Sequence, residues 1–279
     1  MISLEESRKE YLLCVSELVK ALNSLKELDK IESHNNRKIG MYKFLKNFSS
    51  SFSILFEISE TNSISSLFTI NRMIVDNYAI FYLLLLHSSE EEKNIRYYLY
   101  LMDGIKTRTN LVTNFHSNTH ENVKQITENN TQLVIDSDKE NLAILKTFID
   151  KNNVNGIVSN EVIKQNNWKF KDPISTKSKR ENSFNWVDLY NIAKIPSHYS
   201  LAFQNYYSSY VHGLGISILN RPNSNSELIP SLVLSVTAII QSILIKIISL
   251  EYSDFVKTEN MDSEFLKKMN HNWENWNKH

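Results

Sequence analysis

Glycine and proline are scarce in this chain: 5 Gly and 4 Pro in 279 residues. Sheet-rich folds turn often, and those turns draw on the backbone angles these two residues supply. Their scarcity points to few turns between long elements, hence to helices. Cysteine is nearly absent as well. Cys14 stands alone, so no internal disulfide can form, which fits a reducing compartment. Charge of one sign is also lacking, with 31 basic against 31 acidic residues. Overall charge therefore does not advertise the phosphate neutralisation behind strong non-specific nucleic-acid binding. A basic n-region is missing too: Met1 is followed by Ile2, Ser3, Leu4, Glu5 and Glu6, so a cytoplasmic location is expected.

What is present is amphipathic periodicity. The expected fold is all-α, a bundle of long amphipathic helices in a single domain over 1–279. Residues 1–60 make an N-terminal hairpin, 61–256 the core bundle and 257–279 a C-terminal tail, loosely packed from His271 to His279. Ser3 and Glu6 form a capping box ahead of a helix with Leu4, Tyr11, Val15, Leu18, Leu22 and Leu25 at heptad spacing. Glu5, Lys9, Glu17, Lys20 and Lys26 fall on its solvent side. Such a heptad helix also admits a homodimer. A second seam runs through Met41, Leu45, Phe48, Phe52 and Leu55.

The third helix, apolar nearly all round from Ala79 to Leu86, is expected to be central. Ser89, followed by Glu90, Glu91 and Glu92, starts a fourth. Beyond it, Leu133, Ile135, Leu142, Leu145 and Ile149 are expected to face inward. Residues 164–183 read as an irregular surface connection, and removal of Lys164 to Arg180 is expected to leave the fold intact. The run from Ser231 to Leu250 is long enough to span a membrane. However, Ser231, Ser235, Ala238, Ser242, Lys246 and Ser249 make a polar stripe, and Gln241 adds a cost, so a buried bundle helix is favoured over a span.

Polar residues on these apolar helices are the candidates for chemistry. Arg72 and Asp76 lie one helical turn apart, and Arg96, Tyr100, Asp103 and Thr107 follow the same spacing. Buried charges need partners, so these groups imply a network. Tyr206 and Ser209 precede His212, and Gly213 can end that helix, leaving the imidazole at a helix C-terminus. Lys164, Trp168, Lys169, Phe170, Lys171, Lys177, Lys179 and Arg180 combine cations with rings, a composition suited to single-stranded nucleic acid if the rings are exposed. His116 and His120 form a pair one turn apart with no third ligand dictated, so neither a metal nor a cofactor is expected.

The ordered series Arg72-x-x-x-Asp76-x-Tyr78, Glu91-Glu92-Lys93, Arg96-Tyr97, Asp103-Gly104, Trp186 with Ala193, and Tyr206-x-x-Ser209-x-x-His212-Gly213 resembles an uncharacterised bacterial family of helical proteins, itself similar to HEPN-like and abortive-infection proteins. The resemblance covers about residues 60 to 250. It implies an all-helical, HEPN-like fold and a role in bacterial stress or phage defence, with RNA as the partner. In HEPN ribonucleases a His follows an Arg by four to six residues. No arginine here has that neighbour; the nearest pair is Arg108 and His116. A metal-independent ribonuclease would then need Arg72, Arg96 and His212 brought together from different helices, supported by Asp76, Asp103, Tyr206 and Ser209. The alternative is a non-catalytic helical module that binds a protein partner or small ligand.

Overall fold

The structure, a computed structural model, describes residues 3–31, 36–61, 63–117, 121–201, 227–276 and 278, with the side chains of 115–130 outside that description. Ten α-helices occur among the described residues: α1 (Leu4–Ser24), α2 (Arg37–Ser59), α3 (Ile64–Leu85), α4 (Glu90–Ser117), α5 (Glu121–Asn152), α6 (Asn160–Lys164), α7 (Trp186–Ile192), α8 (Ser197–Leu201), α9 (Leu228–Glu251) and α10 (Ser263–Trp276). No strand is formed among these residues, only one isolated antiparallel bridge between Phe170 and Ser183. The fold is all-α. Where the sequence suggests a single domain, the chain groups into two compact units: Met1–Leu83 with Trp186–His279, and Leu84–Asn185.

The first unit is built around α9, which packs chiefly on α1 and α10. Among the described residues α9 is the one helix long and apolar enough to cross a membrane, yet 67% of its apolar window is buried inside the protein. Its polar stripe explains how it fits there. Ser231 and Ser235 meet the Ser7 hydroxyl of α1 at 2.7 and 3.0 Å. Further along, Ser242 accepts from Asn272, and Lys246 donates to Asn270, both on α10. A lipid-facing helix has no use for such pairings; a core helix needs them.

The two N-terminal seams pack largely as their spacing predicts, with Leu4 and Val15 of the first only half-buried. Ser3 and Glu6 cap α1 reciprocally. Tyr11, Leu18, Leu22 and Leu25 are buried, as are Met41, Leu45, Phe48, Phe52 and Leu55 of α2. The Tyr11 hydroxyl donates to the Phe52 carbonyl at 2.8 Å, tying the hairpin together. Because α1 also covers α9, its buried arc is wider than a heptad seam. Glu17, expected on the solvent side, is buried among these helices and takes its ion-pair partner from Lys20 at 2.7 Å. The heptad face is thus occupied within the chain. The C-terminal segment is also packed: α10 buries Phe265, Met269 and, within the stretch expected to be loose, Trp276, three positions along one helical face.

In the second unit α4 and α5 form an antiparallel hairpin. Asn94 meets Asn152, Tyr98 stacks on Phe148, and Arg108 pairs with Asp138, each pair in the same register. Leu145 and Ile149 are buried as predicted, but Leu133 is 68% exposed. The inward position is Asp138, five residues on and therefore about 140° around the helix. Arg108 and Thr109 hold that carboxylate, so a charge stands where an apolar residue was expected.

Residues 153–185 are a tightly folded part of this unit, contrary to the reading as a dispensable surface loop. Asn153 both donates to and accepts from the backbone of Val158, and Asn182 does the same with Asp172. Two amide side chains thereby imitate strand pairing and stand in for a sheet. Phe170, Val158 and Val162 are buried in the result.

Leu18→Asp and Phe48→Asp each place an unpaired charge in a sealed position of the first unit. Each is expected to cost on the order of 3 kcal/mol or more. Denaturant titration reads this directly, and an unshifted midpoint would contradict the assigned helix faces.

Candidate functional site

The polar groups singled out on α3 and α4 belong to different units, and each set is engaged within its own. Arg96, in the second unit, is buried to 1% exposure. Its Nη1 donates to the carbonyls of Trp168 and Phe170 at 2.8 and 3.0 Å, and its Nη2 to Glu92 at 2.7 Å. The guanidinium carbon lies 3.7 Å from the centre of the Phe170 ring. Burial pushes its pKa down to about 10, which leaves it a cation across the neutral range. This arginine fastens the 153–185 segment to α4.

Asp103 is a second anchor for the same segment. Asn166 Nδ2, Trp168 Nε1 and Lys179 Nζ all donate to its carboxylate, each at 3.2 Å. These bonds correct the expected nucleic-acid surface. Trp168 and Phe170, read as exposed rings for stacking on bases, are buried against Tyr100 and Arg96. Lys179 is committed to Asp103, and Lys169 is half-buried. Lys164, Lys171, Lys177 and Arg180 remain exposed, a basic edge without aromatic platforms.

The first unit holds a different arrangement. Arg72 Nε lies 3.6 Å from Asp76, one turn along α3, with both side chains about a fifth exposed (21% and 22%). The Tyr190 hydroxyl of α7 donates to Asp76. Tyr190 is held there because the segment after α7 is pinned: the Tyr78 hydroxyl and the Trp276 indole both donate to the Ala193 carbonyl, at 3.2 and 3.1 Å. Burial raises the Asp76 pKa against the lowering effects of Tyr190 and Arg72. The Tyr190 pKa is raised by burial and then by Asp76.

Beside Arg72, Asn71 donates to Thr237 of α9 at 2.6 Å. One turn further on α9 is Gln241, wholly buried like Asn71. Six buried polar atoms in this unit have no hydrogen-bond partner among the described residues: Arg8 Nε and Glu17 Oε2 on α1, and, on α3 and α9, Arg72 Nη1, Asn71 Oδ1 and both amide atoms of Gln241. Native interiors rarely leave such atoms bare, so a group of them signals a place for a ligand or water. Sequence reading found Arg72 and Asp76 but missed Asn71, Tyr190 and Thr237, and treated Gln241 only as a cost. The available signal was Thr237 and Gln241, spaced four apart in an otherwise apolar helix.

Tyr206, Ser209 and His212 lie outside the described residues, as do the side chains of His116 and His120. Among the described residues no group of three His, Cys, Asp or Glu side chains is placed to hold a metal ion. No protein-family model, curated protein or solved structure matches this chain.

Removing the Arg96 head group leaves Glu92 and two carbonyls unpaired. Arg96→Ala is expected to cost about 3–5 kcal/mol. Deleting 164–180 should abolish folding of the second unit, which circular dichroism and thermal melting would show as a lost transition. His87, edge-on to Phe184, has its pKa lowered from 6.5 by burial and then by Arg96. A depressed histidine costs nothing above the unfolded value, and the unfolded state gains protons first as pH falls below it. Stability should therefore drop as pH falls below 6.5, and His87→Gln should flatten that part of the stability–pH curve.

Proposed function

We propose that this chain is a non-catalytic helical binding module that holds a small polar ligand in its first unit, at Arg72, Asp76 and Tyr190. The observation that carries this reading is the buried Arg72 Nη1 donor, which has no acceptor among the described residues although its neighbour Nε faces Asp76. A guanidinium donor out of water calls for a carboxylate, phosphate or carbonyl oxygen. Asp76 and Tyr190 would orient the arginine and offer an acceptor and a hydroxyl to the rest of the ligand. Asn71 and Gln241 carry the same deficit in the same unit, a stability cost of the kind that binding sites retain.

A second reading is an RNA-acting effector of bacterial stress or phage defence. It is supported by the family resemblance and by the exposed edge of Lys164, Lys171, Lys177 and Arg180. In that reading Arg72 would steady the crowded phosphate and His212 would move the proton. The buried state of Arg96 weighs against a three-residue catalytic set that includes it.

The two readings part in one set of measurements. Small molecules released by denaturing the purified protein are identified by mass spectrometry, for wild type, Arg72→Ala and Gln241→Leu. The binding reading expects a released compound from wild type and a loss of at least tenfold in Arg72→Ala. Gln241→Leu should meanwhile melt at a higher temperature, because replacing an unpaired buried amide stabilises by about 1–3 kcal/mol. The RNA reading expects single-stranded RNA binding that weakens with salt and with Lys164→Gln/Lys177→Gln/Arg180→Gln, and cleavage lost in His212→Ala. No released compound, together with an unchanged or lower melting temperature for Gln241→Leu, would sink the first reading.

A further inference from the structure

The α4–α5 hairpin outruns the structure that covers it. The 153–185 segment bonds to α4 at Arg96 and at Asp103. Beyond Leu99, no side chain of α4 is buried through Asn114. On α5 the only buried side chain between Thr131 and Ile144 is Asp138. A two-helix arm whose one sealed position among the described side chains holds an ion pair has little hydrophobic support there, and helices without tertiary packing are marginal in water. Leu111 and Leu133 nevertheless stand 68% exposed on this arm.

The base of the arm is a concavity of about 300 Å³ lined by Tyr100, Leu101, Asp103, Gly104, Ile105 and Arg108. A side chain at Gly104 would meet nothing within 4 Å. Glycine inside a helix costs about 1 kcal/mol relative to alanine. No neighbour among the described residues requires it here. A missing Cβ on an open helix face lets another backbone come close.

We infer that the arm pairs with the same arm of a second copy of this chain, two hairpins closing into a four-helix bundle around Gly104. The opposite charges of Asp103 and Arg108 make the face self-complementary, which suits a second copy. From 104 to 140 the arm carries Lys106, Arg108, Lys124 and Lys139 against Glu121, Glu128, Asp136, Asp138 and Glu140, four cations and five anions. No single-sign field opposes like meeting like. Asp103 and Arg108 flank Gly104 with opposite charge, and both keep solvent-exposed surface (38% and 55%) beyond their partners Lys179 and Asp138. A two-fold axis near Gly104 sets Asp103 of each copy against Arg108 of the other, as an isologous interface requires. Leu111 and Leu133 then gain cover that their own chain does not give them.

The test uses the full chain. Sedimentation equilibrium of wild type should give about twice the 32.6 kDa chain mass. Leu111→Asp/Leu133→Asp should give the single-chain mass with an unchanged circular dichroism spectrum. Gly104→Cys, oxidised in place, should yield a covalent dimer, whereas the same change at exposed Ser65 in the first unit should not. A monomeric wild type overturns the inference. So does a dimer that survives the double substitution, or one that crosslinks at 65 and not at 104.

Discussion

The fold of the first unit depends on one constraint: α9 must be hidden from water. Its run of Val, Leu and Ile is apolar on nearly every face, and no single neighbour can cover such a helix. Helices α1 and α10 take the largest shares. That requirement shapes the details of its neighbours. Ser7 is buried to meet Ser231 and Ser235, and Asn270 and Asn272 align with Lys246 and Ser242. Ser231, Ser235, Thr237, Ser242 and Lys246 set the rotation of α9 about its own axis, because this orientation gives them partners on α1, α3 and α10.

The second unit solves a different problem with a charge. Residues 153–185 contain little regular structure, so their backbone groups need partners from elsewhere. Asparagine side chains supply some, and Arg96 supplies two donors to carbonyls that no helix or sheet satisfies. A guanidinium suits this role because its planar fork can reach two carbonyls and a carboxylate while lying on a phenyl ring. The same features that mark Arg96 as a catalytic candidate in sequence, a charge on an apolar helix, serve here to fold a segment.

Taken together, the two units show buried polar groups in two conditions. Around Arg96 and Asp103 two carbonyls, two carboxylates and an indole are paired, and Arg96 Nε and Asn166 Oδ1 are left over. Around Arg72, Asn71 and Gln241 several are unmet, and nothing in the described chain repairs the deficit. The difference is one of degree: at Gln241 both amide atoms are unmet, whereas Arg96 uses both terminal nitrogens. Asp76, with an arginine and a tyrosine beside it, still has its pKa raised: its surroundings withhold more solvation than its partners return.

The sequence by itself determined the all-helical class, the capping of α1, the seams of α1 and α2 and the identity of α9 as a core helix. Each rests on local spacing, and spacing along a helix is fixed by its pitch. Only tertiary structure decided which side of that spacing is covered. Glu17 is inward because α1 has more than one neighbour, Leu133 is outward because Asp138 takes the inward place, and Trp168 and Phe170 are sealed because Arg96 and Asp103 draw their segment down. The site residues divide the same way. Arg72 and Asp76 were legible as a pair one turn apart, whereas Tyr190 and Gln241 come from helices distant in the chain, and no local period can announce that such residues share a unit.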